Sequence, residues 1–417
     1  MRYEQNFYNI NYKITKSEKN KLKKTFIKIN ESIEKLNLPC LSIVKNNSYL
    51  KEIRDMTKKY GKFKNILICG TGGSSLGGKT LCELNKTQNL NKKIPNLYFI
   101  ENVDPAPILN ILDNIDLEKT ATIVISKSGE TIETLCQFFL IYNFYKKKRK
   151  SLKSKLLIIT ENKISTLKKI YEETNCDYLI HDNKIGGRFS VFSNVALLPA
   201  LLSSVDIDGI ISGGKEVLKD FQDSKDLFSI KPVLSAYYSF KLMRSKFKQF
   251  VLMPYSDALV NFSLWYRQLW GESIGKEGKG STPINAIGTI DQHSQLQLYL
   301  DGPKDKFISI IGINRYCRSF SLKTKLSKQF VYSPLDKKSM ESLFKAEQKA
   351  TFDTIKKKKI PLRKFDVDFL DEMSLGSLLM HFFLETIFTC YLLNINPFDQ
   401  PAVEEGKILT KKYLKDE

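Results

Sequence analysis

Histidine is scarce in this sequence, with only His181, His293 and His381 among 417 residues. His381 and Glu385 share a helix face, but two ligands without a third do not make a metal site, so no metal is expected. The seven cysteines (Cys40, Cys69, Cys82, Cys136, Cys176, Cys317, Cys390) are odd in number, contain no C-x-x-C pair and lie mostly in apolar surroundings. That pattern argues against a disulfide scaffold and for buried thiols in a reducing compartment. No signal peptide is evident in "MRYEQNFYNI". The longest apolar stretch, "LLMHFFLETIFTCYLL", is broken by His381 and Glu385 and is short for a bilayer span. A buried helix and a cytoplasmic protein without a membrane partner are expected. Acidic residues are also in deficit, 45 against 66 Lys and Arg, for a net charge of +21. The basic clusters at 146–150 and 356–359 are not interleaved with aromatics or set in a nucleic-acid motif. The charge therefore reads as a solvated basic face that attracts small anions, with no nucleic-acid partner.

What is present is an alternation of apolar runs and amphipathic segments. A chain of this length exceeds one ordinary core and predicts two domains. "NILIC", "LYFI", "ATIVIS", "LLIIT" and "DYLI" read as strands of a first domain over 51–208. Their apolar residues do not strictly alternate, as in strands buried on both faces. The pattern restarts with "QFVLMPY", "INAIGT" and "KFISIIGI", giving a second domain over 209–370. The predicted fold class is α/β, with two doubly wound, mainly parallel sheets. A helical N-terminal arm (1–50) and a helical C-terminal segment (371–417) flank them.

Two loops stand out. "GTGGSSLGG" follows the first strand and precedes a helix, so bare backbone and free helix N-terminal amides meet there, as an anion requires. It lacks the Gly-Lys-Ser/Thr ending of a P-loop and the acidic partner of a dinucleotide fingerprint. "SKSGETIET" follows "ATIVIS" in the same way, adding the hydroxyls of Ser126, Ser128 and Thr131 and the cation of Lys127. Two such loops at strand carboxyl ends predict a phosphate site gripped by Ser74, Ser126, Ser128 and Thr131. N-capping by Ser128 and Thr131 is expected as well.

The loops resemble the sugar-isomerase type of phosphosugar-binding domain. Four further segments, "GGRFSVFSNVALLPA", "QLWGESIGK", "GTIDQHSQLQLYLDGP" and "NPFDQPAVEEGK", narrow the resemblance to the glucose-6-phosphate isomerases, in their shorter bacterial form. The six segments occur in the family's order from residue 70 to residue 407. Departures are small: Ala196 and Ala402 replace common glycines, and Gly271 replaces a common alanine.

The resemblance implies reversible interconversion of glucose 6-phosphate and fructose 6-phosphate through an enediolate, without metal or cofactor. Glu272 is the expected base. It lies near the end of an aromatic-rich helix, whose negative dipole end favours proton uptake between steps. Gly275 is a plausible C-cap, and Lys276 a plausible partner for Glu272 four residues on. Arg188, with its fixed fork, is the expected enediolate stabiliser. By resemblance Gln268 and Gln400 bind the phosphosugar, and Gly73 and Ser74 close around it. His293 and Lys407 are assigned to ring opening, His293 being donated by the neighbouring subunit of a homodimer. A bifunctional isomerase that also accepts mannose 6-phosphate and a non-catalytic phosphosugar sensor are the alternatives. His181 and His381 are expected to be structural.

Overall fold

The computed structural model describes residues 2–88, 94–317, 319–322, 335 and 338–416. Ten strands occur among the described residues: β1 (Tyr3–Tyr8), β2 (Asn65–Cys69), β3 (Asn96–Ile100), β4 (Thr120–Ile125), β5 (Leu156–Thr160), β6 (Asp177–Ile180), β7 (Gln249–Pro254), β8 (Thr282–Asn285), β9 (Lys306–Arg315) and β10 (Leu362–Phe369). They form two sheets. The first is wholly parallel, in the order β3-β2-β4-β5-β6. Every residue of β2, β4 and β5 is buried, which explains their mainly apolar sequences. The second runs β1-β10-β9-β7-β8 and is parallel except for β1. The halves share a layout: β3-β2-β4-β5 and β8-β7-β9-β10 both place the second parallel strand beside the first, then the third and fourth. The winding direction in the first sheet reverses between β2 and β4, so a crevice opens beyond their carboxyl ends.

Three expectations are revised. The N-terminal segment is not only helical: Tyr3–Tyr8 is a strand antiparallel to β10. Nor is it a detached arm, because Leu22, Ile29 and Ile33 of the helix Lys16–Glu34 are buried in the core. The third revision concerns β8, which lies at 282–285, ahead of the expected "INAIGT". Pro283 is tolerated there because β8 is an edge strand with one partner.

The helix Glu372–Leu393 is long and apolar enough to cross a membrane, but 94% of its most apolar window is buried inside the protein. It packs on the helices Ile207–Asp223, Lys231–Arg244 and Val260–Ile274. Glycines let the first of these approach backbone to backbone. A Cβ on Gly213 would lie 1.9 Å from the Met373 carbonyl oxygen, and one on Gly376 2.0 Å from that of Ile210.

The same helix carries a buried polar network. Arg363 of β10 donates from Nη1 to Glu385 Oε2 (2.7 Å) and from Nε to Ser309 Oγ (3.0 Å). Ser239 Oγ donates to Glu385 Oε1 (3.1 Å). His381 Nε2 lies 3.4 Å from Glu385 Oε2, and Tyr3 Oη lies 2.6 Å from His381 Nδ1. Burial pushes the His381 imidazole down to about 4. A neutral ring fits a Tyr3 hydroxyl that donates to Nδ1. The Arg363 guanidinium opposes burial and holds the Glu385 carboxyl below its usual range. His381 and Glu385 thus tie β1 and β10 to the central helix, in keeping with a structural role.

Candidate active site

Both glycine-rich loops lie where the first sheet reverses. The loop after β2 turns through Gly72–Ser74 before the helix Leu76–Gln88. The loop after β4 leads into the helix Ile132–Lys147. Its three hydroxyls converge: Ser126 Oγ is 2.9 Å from Thr131 Oγ1, and Ser128 Oγ is 3.5 Å from it. Ser128 Oγ also accepts from the Glu130 amide at 3.1 Å. Thr131 occupies the N-cap position, but its side chain makes no capping bond, contrary to expectation. Its hydroxyl faces the serines, and amides at this helix start are left for an anion. Lys127 is engaged with Glu161 at 3.7 Å, so its charge is shared with a carboxylate.

The first loop is pressed against the turn that carries Arg188. A Cβ on Gly73 would lie 2.2 Å from the Gly187 carbonyl carbon, so only glycine fits. Ser190 Oγ donates back to the Gly73 carbonyl at 3.0 Å. This contact aims Arg188, itself buried, at the end of the helix Val260–Ile274 and at the segment after residue 395. Nε donates to Ser273 Oγ (2.9 Å). Nη1 donates to Glu272 Oε2 (2.9 Å) and Gln400 Oε1 (2.7 Å). Nη2 donates to the carbonyls of Pro397 (2.6 Å) and Asp399 (3.0 Å). Burial weakens the guanidinium's hold on its proton, and Glu272 restores part of it. Gln268 Nε2 donates to the other Glu272 oxygen at 2.8 Å, while its own Oε1 is buried and unpartnered. One half-buried carboxylate is thus held between an amide donor and a fixed cation, beside the first glycine-rich loop.

Comparisons with known proteins give the family. A family model described as Phosphoglucose isomerase matches residues 45–417. The chain belongs to the phosphoglucose isomerase family. A probable glucose-6-phosphate isomerase of Methanococcus maripaludis is 37% identical over 371 residues, spanning 88% of this chain and 82% of the relative. The glucose-6-phosphate isomerase of Methanocaldococcus jannaschii is 34% identical, spanning 87% of each. Among solved structures, a hypothetical protein of Thermus thermophilus matches with a TM-score of 0.86 at 26% identity, over 99% of this chain and 100% of that one. A glucose-6-phosphate isomerase of Chlamydia trachomatis shares the fold, with a TM-score of 0.75 at 22% identity over 90% of this chain and 74% of its own.

Within this phosphoglucose isomerase fold, the sequence-derived residues divide into three sets. Arg188, Gln268, Glu272 and Gln400 are in direct contact, and Gly73 supports them. Ser126, Lys127, Ser128 and Thr131 form the second loop, and Ser74 lies half-buried in the first. His293 and Lys407 do not join the cluster. His293 is exposed just before the short helix Leu296–Asp301. Lys407 is exposed on the helix Glu404–Asp416, where it pairs with Glu404 at 2.6 Å. Lys276 does not pair with Glu272 as expected; it bonds Asp399 Oδ1 at 2.8 Å. The helix ends at Ile274 with Gly275 as C-cap, so Lys276 is off the helical face on which four-residue spacing brings side chains together. Sequence reasoning missed Ser273, the carbonyls of Pro397 and Asp399, and the buried, unpartnered hydroxyls of Ser75 and Thr134. Ser75 adjoins Ser74 and was legible in the loop. A carbonyl acceptor has no sequence signature.

Proposed function

We propose that this chain interconverts glucose 6-phosphate and fructose 6-phosphate, with Glu272 moving the proton between C1 and C2. The observation that carries the reading is the Glu272 carboxylate, held by Gln268 and Arg188 against the first glycine-rich loop. The phosphate sits on the hydroxyls of Ser126, Ser128 and Thr131 and on free amides of the helix Ile132–Lys147. Gln268 and Gln400 hold the sugar. Glu272 takes the C2 proton of the open-chain aldose and returns it at C1, while the proton of the C2 hydroxyl is transferred to the C1 carbonyl oxygen, leaving a hydroxyl on C1 and a ketone at C2. Arg188 neutralises the enediolate oxygen with a charge that is already oriented, so little reorganisation accompanies the step. His293 and Lys407 serve ring opening, where an imidazole can accept a proton and give it back.

A direct test follows glucose 6-phosphate formed from fructose 6-phosphate, with release of tritium from C2-labelled glucose 6-phosphate into water. Turnover with washout is expected. Absence of both overturns the reading, and mannose 6-phosphate run in parallel measures selectivity at C2.

His293 reaches the site of a second copy in this reading, so the working unit is a homodimer. Two features support it. The His293 side chain is exposed and makes no hydrogen bond or ion pair among the described residues, and Ile290 and Leu298 beside it are exposed. The helix Glu404–Asp416, which carries Lys407, also exposes Ile408, Tyr413 and Leu414. Inactive Glu272→Gln and His293→Ala proteins, unfolded together and refolded, are expected to recover about a quarter of wild-type activity. Half of the dimers are then mixed, and each mixed dimer has one intact site. No recovery places His293 in the site of its own chain or outside catalysis.

A further inference from the structure

Arg188 spends three of its five donated hydrogen bonds on a single segment: the carbonyls of Pro397 and Asp399 and the side chain of Gln400. The plane of the guanidinium, and therefore its alignment with an enediolate, depends on where that segment sits. Ile395 and Pro397 are buried, whereas Asn396, Phe398 and Asp399 are exposed. Phe398 touches Phe189 with ring centroids 5.3 Å apart.

The remaining anchor is Lys276. Its ammonium donates to the Asn396 carbonyl and bonds Asp399 Oδ1 (2.8 Å), and its side chain is only 10% exposed. Asn396 Nδ2 donates to Asp399 Oδ2 (2.9 Å), and Asn396 Oδ1 accepts from the Phe398 amide (3.0 Å). Lys276, Asp399 and Asn396 form a closed ring that gives the segment a second anchor besides Arg188. Lys276 also lies two residues past the helix that carries Glu272 and Ser273. The base and Lys276 thus lie four residues apart, one on each side of the helix end.

We propose that Lys276 and Asp399 form a latch that seats residues 396–400 against Arg188, making them positioning residues for the proton transfer. The inference rests on the reading of Glu272 as base and Arg188 as enediolate stabiliser. With Lys276 removed, Asp399 turns to solvent and the two carbonyls leave Arg188. The guanidinium then closes on its nearest remaining anion, Glu272, and occupies the base. Phosphate binding is spared, because the hydroxyl loop belongs to the first sheet.

Lys276→Met and Asp399→Asn are each expected to lower kcat about 10- to 100-fold, the scale of a misplacement near 1 Å. KM for fructose 6-phosphate should rise far less than kcat falls, since Gln400 moves with the segment while the phosphate loop stays in place. Lys276→Arg keeps the charge and should recover most of kcat, and amide hydrogen exchange at 396–400 should quicken in Lys276→Met but not in Lys276→Arg. A Lys276→Met enzyme with unchanged kcat overturns the latch, as does one whose loss lies wholly in KM or is not rescued by arginine. Glu272→Gln is assayed alongside. If it is inactive while Lys276→Met is normal, the latch alone fails; if it is active, the reading of the base fails and the latch with it.

Discussion

Glu272→Gln is expected to lower kcat by roughly three orders of magnitude, within the span that general acid–base catalysis contributes. The amide matches the carboxylate in shape and keeps one oxygen able to accept from Arg188 or Gln268, so the site stays assembled. It cannot take a proton from carbon at neutral pH. Binding should change little, because the converging hydroxyls of Ser126, Ser128 and Thr131 are untouched. Calorimetry with the phosphosugar and a coupled rate assay separate the two effects. A variant that keeps a tenth of wild-type kcat would move the base to another residue. A variant that loses binding in parallel would make Glu272 a scaffold for Arg188.

Arg363→Met carries the largest expected cost in stability, about 3–5 kcal/mol, the usual penalty for leaving one member of a buried ion pair alone. The Arg363 and Glu385 side chains are 1% and 0% exposed. Without the guanidinium, Glu385 retains only Ser239 and the edge of His381. Against a typical stability of about 5–15 kcal/mol the loss is severe. It should appear as a lower urea midpoint, read by circular dichroism. The double variant Arg363→Met/Glu385→Leu removes the stranded charge and should regain at least half of the loss. If the single variant costs under about 1 kcal/mol, or the double is no better, the pair is not holding β10 to the helix.

The elements read most easily were those with a single environment. β2, β4 and β5 are buried along their whole length, so their sequences are almost purely apolar. β1 and β10 were not read as strands. β1 is an edge strand with polar residues on its open face. β10, "LRKFDVDF", carries Arg363 inward, and a buried arginine breaks the alternation that announces a strand. The anion loops were legible because glycine, serine and helix start adjoin in sequence. The contact between Arg188 and Glu272 spans 84 residues, so spacing could not show it; the resemblance implied a role for each residue, and the structure shows that they touch. The partner of Lys276 was misassigned for a local reason: the helix stops two residues too early for the expected pair.

The acceptors of Arg188 also bear on how the protein is made. They come from residues 272–273 and 397–400, so the arginine waits for more than 200 residues of further synthesis before its hydrogen bonds are complete. A nascent chain halted before Asn396 holds its first sheet and both anion loops, yet cannot aim its guanidinium. Competence should therefore arrive abruptly, near the end of translation, rather than accrue as each half emerges from the ribosome.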